Sequence, residues 1–306
     1  MDTTTLSVTL WAANLEPPAA SLAAWLKVME ARLAEARAVG SRILVLPELS
    51  CVQWLGFAPP GLAADRQLPW LAEQARQALP GLRAIAARHD TALLAGTFPW
   101  ALEDGGIVNR AWLMLPDGQA LAQDKLFLTP SEQNPQGWRF NPGGTVNIIH
   151  WQGLRIAVLV CLDSEATALW ARLGDLDLDL ILIPAKTDGL SGYYRVFGCA
   201  RARALELQTA VCVVGAVGTV HRQPSGDTIV GGAAAYLPSD VALDLTGVAA
   251  VLEPQPPEVA TSPVLHATHL PIGYCRQIRH GAAEAETCPA SWPVAHIDIC
   301  DPAVSS

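Results

Sequence analysis

The sequence predicts an α/β fold built from packed layers of helix and sheet. Segments with strand character alternate with segments that carry apolar residues at helical spacing, such as 22–33. Two strand-like segments, RILVLP at 42–47 and LILIP at 180–184, are apolar at every position except Arg42, as expected of strands covered on both faces. The composition agrees, because a chain that is 51% hydrophobic and 16% charged can bury a sizeable core.

The first third of the chain shows this alternation most clearly. Ser21 is a suitable N-cap for the first helix and Gly40 a suitable stop, whereas Pro80-Gly81 interrupts the alanine-rich region that follows. The expected elements are a strand at 5–12, a helix at 21–40, a strand at 42–47, one or two helices across 62–89 and a strand at 91–99.

The remainder begins with a hairpin, in which 107–115 and 119–125 flank the turn Pro116-Asp117-Gly118. Further elements are a loop at 129–144, strands at 145–151 and 154–160, a helix at 164–173, a strand at 180–184, a helix at 195–208, strands at 209–218 and 231–238, and a loop at 253–263. We expect one domain over 1–260 and a C-terminal extension over 261–306, whose secondary structure the pattern does not assign.

Charge and cysteine content argue against several classes of function. A net charge of −9, a pI near 5.2 and the lack of a Lys/Arg cluster disfavour a nucleic-acid partner. The longest apolar runs are shorter than the roughly 20 residues that cross a bilayer, and the N-terminus lacks the basic start of a signal peptide. Seven cysteines without a Cys-x-x-Cys pair predict reduced thiols in a cytoplasmic protein and no zinc site.

Three chemically active side chains follow predicted strands. Glu48 comes after ILVLP, Lys125 ends the hairpin, and Cys161 ends the strand LRIAVLV. Functional groups of α/β sheets gather outside the carboxyl ends of strands, so these three could meet. Each also has a plainer interpretation, since an isolated cysteine of this kind is more often a buried structural thiol, and Glu48 or the loop residue Glu132 could simply face water. A helix beginning at 164 and a nearby ammonium would lower the pKa of the Cys161 thiol.

Taken together, LVLPELS, DKLFLTPSE and VLVCLDSE resemble the nitrilase superfamily of carbon–nitrogen hydrolases. The resemblance runs from the first strand to about residue 240, and it is the order and spacing of the pieces that is specific. The sequence departs from the family pattern at Leu162, where an aromatic residue is common, and at Lys125-Leu126-Phe127-Leu128, where the family has Lys-x-His-Leu. Cys161-Leu162-Asp163 is more similar to the amidases than to the true nitrilases.

The resemblance implies a four-layer α-β-β-α sandwich of the nitrilase type that forms a homodimer or a larger homo-oligomer, with a C-terminal extension that could contact the partner. It also implies roles for individual residues. Cys161 would attack the amide carbonyl, Glu48 would act as general base and acid, and Glu132 would orient Lys125. Lys125 and the backbone N–H of Leu162 would stabilise the oxyanion. No metal and no organic cofactor is expected.

Substrate contacts are predicted only from proximity to these motifs. Trp54, Asp163, Tyr193, Tyr194 and Arg195 could each face the pocket, although core packing of the aromatic residues and a surface ion pair for Arg195 are the plainer alternatives. The preferred function is hydrolysis of a small linear amide through an acyl thioester. Hydrolysis of N-carbamoyl compounds or nitriles by the same residues, acyl transfer to a nucleophile other than water, and a non-catalytic homologue that keeps the fold are the alternatives.

Overall fold

A computed structural model describes residues 2–220, 228–243 and 245–282. In these residues the chain alternates between strands and helices along most of its length. The strands are β1 (Leu6–Trp11), β2 (Ile43–Val45), β3 (Ala92–Ala101), β4 (Ile107–Met114), β5 (Ala120–Asp124), β6 (Ile148–Trp151), β7 (Leu154–Val158), β8 (Leu180–Ala185), β9 (Ala210–Gly215), β10 (Gly218–Thr219), β11 (Thr228–Ile229), β12 (Gly231–Tyr236), β13 (Val248–Gln255) and β14 (Val264–Leu270).

The strands form two mixed six-stranded sheets with the same plan. The first has the order β14-β1-β2-β3-β4-β5 and the second the order β13-β12-β9-β8-β7-β6, and β10 pairs with β11 in a separate ribbon. In each sheet three neighbouring strands are parallel, β1-β2-β3 in the first and β7-β8-β9 in the second. The outer strands add to these in antiparallel orientation.

Helices cover the outer faces of the two sheets. The α-helices are α1 (Leu22–Ala38), α2 (Ala64–Arg88), α3 (Pro130–Gln133), α4 (Thr167–Ala171), α5 (Leu190–Glu206) and α6 (Ile272–Gln277). Helices α1 and α2 pack on the first sheet and α5 packs on the second. The predicted four-layer α-β-β-α sandwich is therefore confirmed.

Strand β2 shows why its sequence is apolar without a break. Ile43 and Val45 belong to the core between the sheets, whereas Leu44 packs with the helices on the other side. Successive side chains of a strand point to opposite faces, so a strand covered on both faces needs apolar residues at every position. The expected burial on both faces is confirmed, although the strand covers only Ile43–Val45 of the predicted 42–47, and all six residues of β8 are buried in the same way.

Helix α2 differs from the prediction, because it runs from Ala64 to Arg88 without a break at Pro80-Gly81. Its buried residues continue on one side past Pro80 to Leu82 and Ile85, and burial of this stripe outweighs the lost N–H donor of proline, which costs about 3 kcal/mol. Gly81 permits a close approach to α1, because a Cβ there would lie 2.9 Å from Leu26 Cδ1.

The expected helix at 164–173 is also different in the structure. A 3₁₀ turn spans Cys161–Glu165, and only the short helix α4 follows it. The strong helix dipole expected near Cys161 is therefore absent, because a dipole of useful size needs a longer run of aligned peptide units.

The C-terminal part of the described chain belongs to the same sandwich. Strand β13 takes up the first residues of the expected loop at 253–263, and β14 pairs with β1 in the first sheet although it lies in the predicted extension 261–306. Helix α6 then follows, and the segment SWPVAHIDIC at 291–300, expected to contact a partner, lies outside the described residues. Within the part of the chain that the structure describes, no helix is long and apolar enough to span a membrane.

The carboxyl ends of the parallel strands carry the residues of interest. The segment after β2 leads to Glu48 and is pressed against a bulge in β3. At this bulge Gly96 has a φ of +81°, and a Cβ would lie 2.1 Å from the Pro47 carbonyl oxygen. Only glycine fits such a position without displacing the chain, so Gly96 sets how closely the Glu48 segment approaches β3.

Replacing Gly96 with alanine is therefore expected to lower the free energy of unfolding by about 3 kcal/mol or more, because it adds a clash to the left-handed strain. Gly118→Ala is the matched control, since Gly118 has a φ of +89° but open space around it, and only the strain of about 1 kcal/mol is expected there. Urea unfolding measures both values, and equal losses in the two variants would contradict this account.

Candidate active site

Two carboxylates and one ammonium form a buried cluster between the sheets. Lys125 Nζ lies 2.8 Å from Glu48 Oε1 and 2.8 Å from Glu132 Oε2. The three side chains are 2%, 3% and 11% exposed in the order Lys125, Glu48, Glu132. Buried charges are expensive unless they are paired and hydrogen-bonded, and each of these has such partners.

Glu48 is held by the ends of strands from both sheets. Its backbone N–H donates to the Ala185 carbonyl at 3.3 Å, and its Oε2 accepts the N–H of Lys186 at 3.0 Å. The next residue, Leu49, has a φ of +53° and donates its N–H to Thr97 Oγ1 at 2.9 Å. Glu48 therefore points into the space between the sheets because its segment is fixed on both sides.

Glu132 owes its position to a capping box at the start of α3. Thr129 Oγ1 accepts the Glu132 N–H at 3.3 Å, and Glu132 Oε2 accepts the Thr129 N–H at 2.9 Å. The same oxygen accepts the Thr129 hydroxyl at 2.9 Å. This reciprocal pairing fixes a short helix end and aims the Glu132 carboxylate at Lys125.

Cys161 lies at the first position of its 3₁₀ turn in a left-handed conformation, with a φ of +49°. Its Sγ lies 3.6 Å from the Lys186 carbonyl oxygen, so one residue contacts both Cys161 and Glu48 through its backbone. A non-glycine residue in this region of φ carries strain of about 1–2 kcal/mol, and such strain is common at functional positions. The structure thus brings Glu48, Lys125, Glu132 and Cys161 together.

The two carboxyl groups have opposite pKa shifts. Burial raises the pKa of Glu48, and the Glu132 carboxylate raises it further against the pull of the Lys125 ammonium. Burial would also raise the pKa of Glu132, but the charge of Lys125 and hydrogen bonds from Lys125 and Thr129 lower it. Burial disfavours the charged form of Lys125, yet the two carboxylates raise its pKa well above its ordinary value. Glu48 is therefore the carboxyl that binds a proton more readily.

The pKa of the Cys161 thiol is raised, which corrects the expectation from the sequence. Burial is the main cause, the Glu48 and Glu132 carboxylates add to it, and the Lys125 ammonium opposes it. One ammonium does not outweigh burial and two acids, and the short helical segment offers little dipole. At rest Cys161 carries its proton, so it needs a base beside it.

A cleft opens onto this cluster in two arms that share Thr129, Lys186 and Asp188. The first arm has a volume of about 350 Å³ and reaches Glu48, Lys125 and Glu132, with polar and aromatic walls. The second has a volume of about 220 Å³ and reaches Cys161 and Leu162. Among the described residues, no group of three or more His, Cys, Asp or Glu side chains is placed to hold a metal ion.

The family model for carbon–nitrogen hydrolases matches residues 10–242, a range that includes all four clustered residues. This chain belongs to the carbon–nitrogen hydrolase family. Its fold is similar to that of solved amidases, among them one described as a member of the nitrilase superfamily. An amidase from Nesterenkonia sp. has 21% identity and a TM-score of 0.66, with 90% of this chain and 94% of that chain covered. A cysteine-to-alanine mutant of the Nesterenkonia sp. AN1 amidase in complex with butyramide has 22% identity, a TM-score of 0.66 and the same coverage of 90% and 94%.

Curated relatives are similar over parts of their length. The probable hydrolase YhcX of Bacillus subtilis (strain 168) is 27% identical over 217 residues, which are 70% of this chain and 41% of that protein. An (R)-stereoselective amidase of Pseudomonas sp is 29% identical, over 58% of this chain and 59% of that one. The omega-amidase YafV of Escherichia coli (strain K12) is 32% identical, over 46% and 50%. The chain thus spans about half the length of the curated relatives it matches.

Three of the predicted substrate residues of this carbon–nitrogen hydrolase do not reach the cleft. Trp54 is fully buried, with its ring stacked 5.2 Å from Phe98 and edge-on to another tryptophan. Tyr193 is buried with its ring 4.0 Å from Phe197, and Tyr194 is 61% exposed on α5 outside the walls of the cleft. Core packing, the plainer interpretation of the aromatic residues, therefore holds for Trp54 and Tyr193, whereas Tyr194 is a surface residue.

The other two take different positions. Arg195 lines the second arm, where its Nε lies 3.2 Å from Glu165 Oε2, so both the pocket and the ion-pair interpretation apply to it. Asp163 is fully buried, and its carboxylate accepts backbone N–H groups. Asp163 therefore supports the framework of the site and does not line the cleft.

Sequence reasoning missed Asn109, a buried residue of β4. Its side-chain Nδ2 donates to Glu48 Oε1 at 2.8 Å and lies 3.3 Å from Glu132 Oε1. Its backbone carbonyl oxygen accepts the backbone N–H of Lys125 at 2.9 Å. The available signal was the amide side chain of Asn109 within a predicted strand, IVNRAWLML, because an amide that is buried in a sheet needs a hydrogen-bond partner. Lys186 was also missed, although it is one of only three lysines in the chain.

Replacing Asn109 with leucine, which has nearly the same volume, is expected to move the acid limb of the kcat/KM profile to higher pH. The amide N–H stabilises the ionised form of Glu48, so its removal raises the pKa of this carboxyl, which the sequence predicts to be the general base. A hydrogen bond to a charged group contributes about 1.5–3 kcal/mol, so a loss of about tenfold or more at neutral pH is expected.

The control is Asn14→Leu, because Asn14 is also buried and donates its Nδ2 to a backbone carbonyl far from the cluster. Its pH profile should match that of the wild type. An acid limb that stays in place in a folded Asn109→Leu variant would show that Asn109 does not act on Glu48.

Proposed function

We propose that this carbon–nitrogen hydrolase is a cysteine-dependent amidase that cleaves a small linear amide through an acyl thioester. The observation that carries the proposal is the arrangement around Lys186, whose backbone contacts both Cys161 Sγ and Glu48 Oε2. A thiol and a carboxylate held against one residue, with an ammonium 2.8 Å from the carboxylate, supply a nucleophile, a proton acceptor and an electrophilic group.

In the first step Cys161 attacks the carbonyl carbon while Glu48 accepts the thiol proton. The raised pKa of the thiol means that proton transfer and attack belong together. The carbonyl oxygen gains negative charge, which the Lys125 ammonium and the Leu162 N–H stabilise. Loss of one such donor costs about 3–4 kcal/mol in other hydrolases.

In the second step Glu48 donates the proton it has taken to the leaving nitrogen, and the C–N bond breaks. An amine or ammonia departs and an acyl thioester remains on Cys161. Water then enters, Glu48 accepts its proton, and attack of the hydroxide on the thioester releases the carboxylic acid. The Cys161 thiolate recovers the proton from Glu48, which returns the site to its starting state.

The opposite shifts of the two glutamates support distinct roles. The lowered pKa of Glu132 keeps it ionised beside Lys125, whereas the raised pKa of Glu48 suits a group that gains and loses a proton in each cycle. Pairs of acids whose environments push their pKa values apart commonly divide the work in this way. Glu132 acts here by fixing the charge and the direction of the Lys125 side chain.

The two arms of the cleft, of about 350 and 220 Å³, have the dimensions of a small-molecule pocket, which supports a small substrate. The names of the relatives, an omega-amidase and an (R)-stereoselective amidase, support a primary amide. N-carbamoyl compounds and nitriles would use the same residues, and so would acyl transfer to a nucleophile other than water. The complete set of four residues argues against a non-catalytic homologue.

A panel of substrates is expected to give ammonia from short linear amides and none after Cys161→Ala, with kcat reduced by about 10⁴-fold or more. The panel contains aliphatic amides, ω-amides of dicarboxylic acids, N-carbamoyl amino acids and nitriles, and an added amine tests acyl transfer. Cys199→Ala is the matched control, because Cys199 lies partly exposed on α5 away from the cleft. Folded protein that releases no ammonia from the panel would support the non-catalytic alternative.

The thioester step has a separate test in Glu48→Gln. Loss of the Glu48 charge lowers the pKa of the Cys161 thiol, so an activated ester can acylate the thiolate without a general base or a general acid. Glutamine cannot activate water, so the acyl-enzyme should persist about 100-fold longer than in the wild type. Intact and peptide mass spectrometry would place the adduct on Cys161, and Cys161→Ala should form none. Accumulation on another residue would contradict the proposed nucleophile.

The homodimer or larger homo-oligomer and the cytoplasmic location stay predictions of the sequence. Among the described cysteines, all are free thiols: Cys51, Cys161, Cys199, Cys212 and Cys275. Sedimentation velocity would measure the oligomeric state directly.

A further inference from the structure

Asp163 joins the two parts of the site that carry Lys125 and Cys161. Its Oδ1 accepts the N–H of Leu126 at 3.1 Å and that of Phe127 at 2.9 Å. Its Oδ2 accepts the N–H of Val160 at 2.9 Å. One fully buried carboxylate thus binds the backbone that directly follows Lys125 and the backbone that directly precedes Cys161.

Side chains of two helices also hold the turn that carries Cys161, because they donate hydrogen bonds to its backbone carbonyl groups. Trp170 Nε1 donates to the Asp163 carbonyl at 2.9 Å, and Arg203 Nε donates to the Ser164 carbonyl at 3.2 Å. The turn is therefore fixed to the helices of its own layer, and the Asp163 side chain extends that fixed position to residues 126–127. Phe127 shows how local this contact is, because its side chain is 44% exposed although its N–H is bound.

We propose that Asp163 is a positioning residue that sets the distance between the Lys125 ammonium and the Cys161 sulfur. The inference rests on the proposed function, in which that ammonium stabilises the oxyanion formed at Cys161. An error of about 1 Å in such an arrangement can cost on the order of 100-fold in rate. Asp163 touches neither the thiol nor the cleft, so it acts through the backbone.

Asparagine cannot replace Asp163 in this role although it has the same shape. The carboxylate accepts hydrogen bonds on both oxygens, whereas an amide has one acceptor and one donor. In either orientation of the substituted amide, its NH₂ group would face a backbone N–H, that of Val160 or those of residues 126–127. Asp163→Asn must therefore release one of the two attachments.

The thiol reports the result without any need for a substrate. Lys125 lowers the pKa of Cys161, and only the thiolate reacts with iodoacetamide. If Asp163→Asn lets the ammonium move away, the pH at which Cys161 becomes reactive should rise, and alkylation at pH 8 should slow by about tenfold or more. If Asp163 acted only as a nearby negative charge, its removal would make the thiol more acidic and alkylation faster.

The experiment measures alkylation of the Cys161 peptide against pH in the wild type, Asp163→Asn and Asp179→Asn. Asp179→Asn is the control, because Asp179 is also a buried carboxylate that binds backbone, accepting the Arg155 N–H at 2.8 Å at the opposite end of β7. Asp179 also forms an ion pair with Arg276, so this variant controls in addition for the loss of a buried negative charge. Its profile should equal that of the wild type. With an amide that the wild type hydrolyses, Asp163→Asn should lower kcat by about 100-fold with KM changed by less than about threefold. A folded Asp163→Asn variant with an unchanged or more acidic thiol would overturn the proposal.

If Asp163→Asn does not fold, hydrogen exchange of the wild-type protein still tests the proposal. In the wild type the Phe127 amide should exchange about 100-fold more slowly than an open loop amide, in spite of its exposed side chain. Exchange at the open-loop rate would show that the contact is not maintained. Alkylation of Cys161 and exchange of the Phe127 amide are both independent of hydrolysis. A wild type without amidase activity would therefore refute the proposed function, whereas these two measurements would still decide whether Asp163 sets the position of Lys125.

Discussion

The site depends on one interaction, the placement of a buried ammonium between two buried carboxylates. Lys125 is 2.8 Å from each acid and is almost fully enclosed. Removing one partner of such a group leaves an uncompensated charge, which typically costs about 3–5 kcal/mol. The arrangement therefore holds together only as a set, and Asn109 and Thr129 supply the remaining donors. Burial raises the pKa of the nearby Cys161 thiol, and the two carboxylates add to this shift, so the thiol is protonated at rest.

Burial thus decides the chemistry more than proximity of charge does. The Lys125 ammonium alone would lower the pKa of Cys161 and favour a thiolate, but burial and two carboxylates raise that pKa instead. In the proposed mechanism Cys161 is therefore a neutral thiol that becomes nucleophilic only as the carboxylate beside it removes its proton. Burial also separates the pKa values of the two glutamates. The Lys125 charge and the hydrogen bonds offset burial for Glu132 but not for Glu48.

Much of this could be read from the sequence, and the reasons are physical. Strand periodicity and continuous apolar runs indicated the sheets, and the ends of strands indicated Glu48, Lys125 and Cys161. What failed depended on contacts between distant residues. The sequence could not show that burial of one face keeps α2 helical past Pro80, or that Trp54 packs against Trp25 of α1. The roles of Asn109 and Asp163 depend on hydrogen bonds to residues distant in the sequence. The strand pattern around Asn109 indicated an amide that needs a partner, but it could not identify that partner.

Both sheets contribute to the cluster, so the chemistry is a property of their packing. Glu48 comes from the first sheet and Cys161 from the second, and the end of β8 joins them because Ala185 and Lys186 bind the Glu48 segment through their backbone. Leu49 and Cys161, next to these contacts, both have left-handed φ values, +53° and +49°. Strain of this kind persists only where the surroundings fix the chain. The two strained residues therefore mark where the sheets hold the acid and the sulfur toward each other.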